Sequence, residues 1–210
     1  MSTTKRAKLI EITAENVAEK GFFCYMSKAQ SAGYQRKLNW LKARFTEGMR
    51  IKMYELPQRG FIEYIPGEYA WRAVDAKGYM FIHCLWIVGK SKGQGLGGRL
   101  LKARIKDARD AGMHGVAMLT SEGNWLASKG LLLKHGFRPV AQASPSFNLM
   151  ALQFDATPPP ILLNNWGKKA EQFFADSPYF AQINALISMM LSKRCWAPRK
   201  DSASKAASLN

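Results

Sequence analysis

The sequence predicts an α/β protein with a mixed, mostly antiparallel central sheet flanked by helices. Three observations carry this. Strand-like segments precede and follow the helical ones, so neither type dominates. The stretch YMFIHCLWIV (79–88) is a nearly continuous apolar run, as expected for a strand buried on both faces. A glycine-rich turn follows it and runs into an amphipathic helix.

The elements follow in order. LIEIT (9–13) alternates like a short strand, and the TAEN spelling after it opens a short helix near Thr13 or Glu15. Residues 31–47 place Tyr34, Leu38, Leu41 and Phe45 at helical spacing, and Gly48 stops that helix. RIKMYEL and RGFIEYI, parted by Pro57 and Gln58, read as a hairpin. After strand 79–88, residues 96–111 form the clearest helix. Leu96, Leu100, Ile105 and Ala108 face inward; Arg99, Lys102, Lys106, Asp107 and Asp110 face out. GVAMLT (115–120) is a buried strand, 124–135 a second helix ending at Gly136, and FRPVAQ and FNLMALQF two final strands. We expect one domain over 1–154, a proline-rich linker over 155–163, a short helical appendage over 164–195 and a disordered tail over 196–210.

Bulk properties narrow the function classes. An apolar content of 47% fits a globular chain. No apolar run is long enough to span a membrane, and the polar start MSTTKRAKLIEITAEN lacks a signal peptide's apolar stretch, so the expected location is the cytoplasm. Cys24, Cys84 and Cys195 are scattered and odd in number, which supports neither a disulfide framework nor a zinc site; no metal is expected. The net charge of +16 attracts anions, but it is spread over 36–50, 90–109 and 193–205. Spread charge reads as a solvated surface more readily than as a nucleic-acid footprint. The sequence leaves the oligomeric state open.

KSKGQGLGGRLL (90–101) carries the chemistry. Gly93, Gly95 and Gly98 spell G-x-G-x-x-G, and Glu122 ends the next strand, as a ribose-binding acid would in a dinucleotide fold. Against that reading, Gly89–Lys92 separate the strand from the first glycine, and strand–helix alternation stops after 137. A Walker loop fails because the position five before Gly89 is Cys84. A third reading fits more of the chain. A pyrophosphate needs converging N–H donors, which a glycine turn entering a helix N-terminus supplies. Four glycines in 93–98 exceed what one tight turn requires, and Lys90, Lys92 and Arg99 add positive charge.

Lys92-Gly93-Gln94-Gly95-Leu96-Gly97 resembles the Q/R-x-x-G-x-G/A signature of the GNAT (acyl-CoA N-acyltransferase) family, with Lys in the first position. Asn124, Ala127, Gly136 and Phe137 resemble the second half of the same fold, and the likeness covers roughly 8–154. The resemblance implies acetyl-CoA as donor and a small amine or peptide amine as acceptor, attacked directly in a ternary complex. It implies a coenzyme A loop at Lys92, Gly93, Gln94, Gly95, Leu96, Gly97, Gly98 and Arg99, with Asn124 nearby. It also implies a splayed strand whose free backbone meets the pantetheine arm at Trp86, Ile87 and Val88. FIEYIPGEYAWRAV with GYMFIHCLWIVGKSKGQGLG is similar to a YoaP-like branch of the family, whose members commonly carry a further C-terminal region.

The acceptor side departs from the family's habit. The tyrosine that often protonates the leaving thiolate stands four residues before the G-F pair, and here that position is Leu132. Water, or Tyr25, Tyr64 or Tyr69, would then serve. For removal of the amine proton, His83 and Glu63 are the candidates; His83 reads equally as a core histidine. Two other readings stay open. One is an inactive coenzyme A-binding protein whose basic surface meets RNA or a protein partner. The other is a nicotinamide enzyme.

Overall fold

The computed structural model describes residues 7–22, 29–121, 127–143 and 146–163. The elements in that part are β1 (Leu9–Ile12), α1 (Val17–Lys20), α2 (Ala32–Thr46), β2 (Arg50–Tyr54), β3 (Gly60–Pro66), β4 (Val74–Asp75), β5 (Tyr79–Ile87), α3 (Leu96–Asp110), β6 (Gly115–Ser121), α4 (Lys129–Leu133), β7 (Arg138–Ala143), β8 (Phe147–Gln153) and β9 (Ile161–Leu162). Seven strands form one sheet in the order β1-β2-β3-β5-β6-β8-β7. All its pairings are antiparallel except β5–β6. The mixed α/β sheet that the sequence predicts is therefore the sheet observed.

Alternation along the strands sends apolar side chains to both faces. On one face Ile62, Tyr64, Met80, Ile82, Val116, Met118 and Met150 meet Leu96, Leu100, Leu101 and Ala108 of α3 and Leu132 of α4. On the other, Ile51, Met53, Phe61 and Ile65 meet Tyr34, Leu38 and Leu41 of α2. Ser31 caps α2 by accepting from the Tyr34 amide, which fixes where the helix begins.

Two features lay beyond the sequence pattern. The helix α3 also buries Arg104, at 2% exposure, against the Tyr64 hydroxyl and the Asp107 carboxylate. Within the stretch expected as linker, β9 pairs with β4, and the Tyr79 hydroxyl donates to the Thr157 and Pro158 carbonyls. The second helix is shorter than expected among the described residues, and 122–126 lie outside them. The expected appendage and tail, 164–210, lie outside them too. No helix among the described residues is long and apolar enough to cross a membrane.

Candidate active site

The β5–β6 ladder runs from Tyr79↔Gly115 to Ile82↔Met118 and stops. Both strands continue. β5 stays paired to β3 up to Gly60↔Ile87, and β6 stays paired to β8 up to Ser121↔Phe147. His83–Ile87 and Leu119–Ser121 therefore form the arms of a wedge whose facing edges make no ladder with each other. The cause is local. In the β3–β5 pairing Glu63 faces Cys84 and Tyr64 faces Ile82, so His83 is one extra residue on β5. Such a bulge bends and twists its strand away from the regular ladder.

The bulge also breaks the alternation of β5. Strict alternation places His83 on the same face as Ile87. The extra residue shifts the phase: Ile87 packs on the α3 side, whereas His83 lies beside Glu63 and Phe81 on the opposite face. Cys84, next to it, packs with the α2-side core.

Beyond β5 the chain makes a single helical turn at Gly89–Ser91 and reaches the glycine loop. Gly93 (φ +77°) and Gly95 (φ +72°) both occupy the left-handed region, and a side chain there is strained. Nothing lies within 4 Å of where a Cβ would stand at either, so the constraint is on backbone shape, and the space in front is open. Gly95 is the N-cap of α3 and offers no side chain to its first-turn amides. Those amides have no side-chain cap, and with the helix dipole they are an arrangement suited to an anion. The loop is braced from behind. The buried Ser91 hydroxyl accepts from the Arg59 amide at 2.9 Å, Gln94 Nε2 donates to the Lys90 carbonyl at 2.7 Å, and the Tyr54 hydroxyl donates to the Leu96 carbonyl at 3.1 Å. Lys90, Lys92 and Arg99 are exposed around it.

Ile87 ties the loop to the wedge. A Cβ on Gly60 would stand 2.3 Å from Ile87 Cδ1 and 3.0 Å from the Trp86 carbonyl oxygen, so a side chain there would push Ile87 aside; on the other side Ile87 approaches Gly97 of α3. Trp86 is 40% exposed at the wedge arm. The sequence-predicted residues from Trp86 to Arg99 thus form one continuous rim. Asn124 and Tyr25 lie outside the described residues. Leu132 is fully buried in the α3-side core, packed as hydrocarbon.

On the opposite face, Glu63 and His83 sit in a buried charged cluster. The Trp71 amide donates to His83 Nε2 at 3.0 Å, so the neutral ring carries its hydrogen on Nδ1, which faces Glu63 Oε1 at 3.6 Å. Lys37 Nζ lies 3.5 Å from Glu63 Oε2 and 4.0 Å over the Trp40 ring. Arg72 donates to the Trp71 carbonyl at 2.8 Å and reaches the His83 carbonyl at 3.4 Å. Burial pushes the His83 imidazole down to about 4, against the pull of Glu63. Burial alone would raise the Glu63 carboxyl; Lys37, then His83 and Arg72, outweigh it and hold it at about 2. The resting cluster is a carboxylate, a neutral imidazole and two cations. Lys37 and Arg72 escaped the sequence reading. They stand on α2 and in the loop before β4, and only tertiary packing brings them to Glu63.

Comparison with known proteins agrees with this geometry. A sequence model of the acetyltransferase (GNAT) family matches residues 58–137, from the β2–β3 turn to the residue before β7. The N-acetyltransferase YoaP of Bacillus subtilis (strain 168), itself uncharacterized, is 36% identical over 151 residues, covering 70% of this chain. The chain spans 59% of YoaP's length. The structure of yncA from Salmonella typhimurium, solved with its cofactor acetyl-CoA, superposes with a TM-score of 0.52 at 21% identity, covering 74% of this chain and 98% of that one. A Klebsiella pneumoniae protein classed with the acyl-CoA N-acyltransferases gives 0.50 at 18% identity, covering 71% of this chain and 99% of its own. The matched family sequence, the seven-stranded mixed sheet and the shared fold agree: this chain carries an acetyltransferase domain of the GNAT family.

Proposed function

We propose that the protein is an acetyl-CoA-dependent N-acetyltransferase that moves an acetyl group to the primary amine of a small molecule or peptide. The observation that carries this reading is the open β5–β6 wedge leading directly into the left-handed glycine loop. Lys92, Gly93, Gln94, Gly95, Leu96, Gly97, Gly98 and Arg99 would take the pyrophosphate on α3's first-turn amides. The edge of β5 that faces β6 beyond the end of their ladder, from Trp86 to Val88, would take the pantetheine arm. The acetyl thioester would then lie in the wedge, with the acceptor arriving from the Glu63–His83 face.

In this reading the acceptor nitrogen attacks the thioester carbonyl directly. The carbon–sulfur bond breaks, its electron pair stays on sulfur, and the amine loses a proton. Glu63 draws the incoming ammonium, which gives one proton to water before its nitrogen attacks, and His83 holds Glu63 in place. With Glu63 at about 2 and His83 at about 4, both are unprotonated at neutral pH, but neither is basic enough to keep the amine's proton. The proton passes on to water.

The catalytically inactive coenzyme A-binding protein is the second reading, favoured by the hydrocarbon packing of Leu132. Thermal unfolding with acetyl-CoA, NAD and a short RNA as separate additives tests the assignment. Stabilisation by acetyl-CoA is expected; stabilisation by NAD alone overturns it. Thiol release on a panel of primary amines then separates an enzyme from a binding protein, because the latter gives release no faster than the blank.

A further inference from the structure

Thr120 is 1% exposed, and its hydroxyl has no hydrogen-bond partner within the described residues. A hydroxyl in that position loses its hydration and gains nothing in return, so a valine of the same shape would suit the packing better. The neighbours explain why it is alone. Its cross-strand partner on β8 is Asn148, the nearest polar side chain in register. Asn148 has no acceptor left to offer it: Oδ1 accepts from Lys129 Nζ at 3.3 Å and Gln142 Nε2 at 3.2 Å, and Nδ2 donates to the Ser146 carbonyl at 3.2 Å.

The position is the second observation. The last rung between β5 and β6 is Ile82↔Met118, and Thr120 is the next β6 residue on Met118's face. It therefore borders the wedge on the side of α3 and α4, the side from which the glycine loop opens. The same face carries Leu132, the residue at the place of the family's usual hydroxyl, and Leu132 has no polar group to offer.

Resting on the acetyl-CoA reading above, we propose that the Thr120 hydroxyl donates a hydrogen bond to the coenzyme A sulfur as the thioester breaks. The electron pair of the carbon–sulfur bond goes to sulfur. The amine's proton goes to water, and the thiolate takes a proton from water as it departs. Thr120 keeps its own proton throughout and stabilises the anion without protonating it, which suits a hydroxyl far less acidic than a thiol.

The test uses bound coenzyme A and needs no acceptor. The ultraviolet absorbance of the thiolate is followed against pH in the wild type, Thr120→Val and Thr120→Ser, and affinity for desulfo-coenzyme A, which lacks the sulfur, is measured alongside. We expect Thr120→Val to shift the bound thiol toward its protonated form by about tenfold in the thiolate-to-thiol ratio. We expect Thr120→Ser to restore the wild-type ratio, and all three proteins to bind desulfo-coenzyme A equally. An unchanged titration in Thr120→Val overturns the proposal while leaving the acetyl-CoA reading intact. Weaker desulfo-coenzyme A binding by Thr120→Val also overturns it, since the role would then be structural. If the wild type binds no coenzyme A, the functional reading itself fails.

Discussion

Replacing His83 with Gln tests whether the cluster rests with a neutral imidazole. Its ordinary pKa is 6.5, and the folded protein holds it at about 4. The unfolded chain therefore binds a proton more readily than the folded one. The stability tied to His83 is complete above about pH 6.5 and is lost progressively as pH falls from there toward about 4. Between about pH 7 and about pH 5 the unfolded imidazole titrates and the folded one scarcely does. That is roughly 1.5 units of proton linkage, or about 2 kcal/mol. Glu63 is nearly silent in this window: its depressed carboxyl contributes stability above 4.5 that is lost only as pH falls toward about 2. Glutamine can accept from the Trp71 amide and donate toward Glu63 without titrating. Urea unfolding of both proteins across this range should show the wild type losing about 2 kcal/mol more than His83→Gln. Parallel loss in the two proteins would refute the neutral, amide-bonded histidine, and with it the reading of His83 as a group that positions Glu63.

Two further outcomes follow from the site. Gly95→Glu should abolish stabilisation by acetyl-CoA, because it sets a carboxylate against the pyrophosphate and strains a residue at φ +72°; unchanged affinity would place the phosphates elsewhere. Glu63→Gln should lower kcat/KM on any accepted amine by on the order of tenfold, through lost attraction of about 1 kcal/mol or more for the ammonium, while leaving acetyl-CoA affinity unchanged, read from steady-state kinetics beside a binding isotherm; equal kcat/KM removes Glu63 from the acceptor side.

What the sequence shows well is what short-range physics decides. The glycine loop is legible because left-handed backbone and helix N-termini are local matters, and Gly93, Gly95 and Leu96 adjoin in the chain. Strand β5 is legible because burial on both faces writes itself as an unbroken apolar run. Arg104 is not, since its partner Tyr64 lies forty residues earlier and the helical pattern alone gives an arginine to solvent. Nor is the pairing of β4 with β9, two-residue strands too short to carry a period.

The bulge at His83 is the sharpest instance. Nothing in YMFIHCLWIV marks His83 as the extra residue; that depends on the register in which FIEYI meets it. Yet this one residue has two effects. It bends β5 away from β6 just past Ile82, which opens the wedge, and it turns His83 to the side of Glu63 and Lys37. The two sides of the proposed site, one for the donor and one for the acceptor, thus depend on a single register shift. A deletion of His83 would be expected to damage both at once, whereas His83→Gln should disturb the acceptor side alone. The contrast between the two separates the backbone's contribution from the imidazole's.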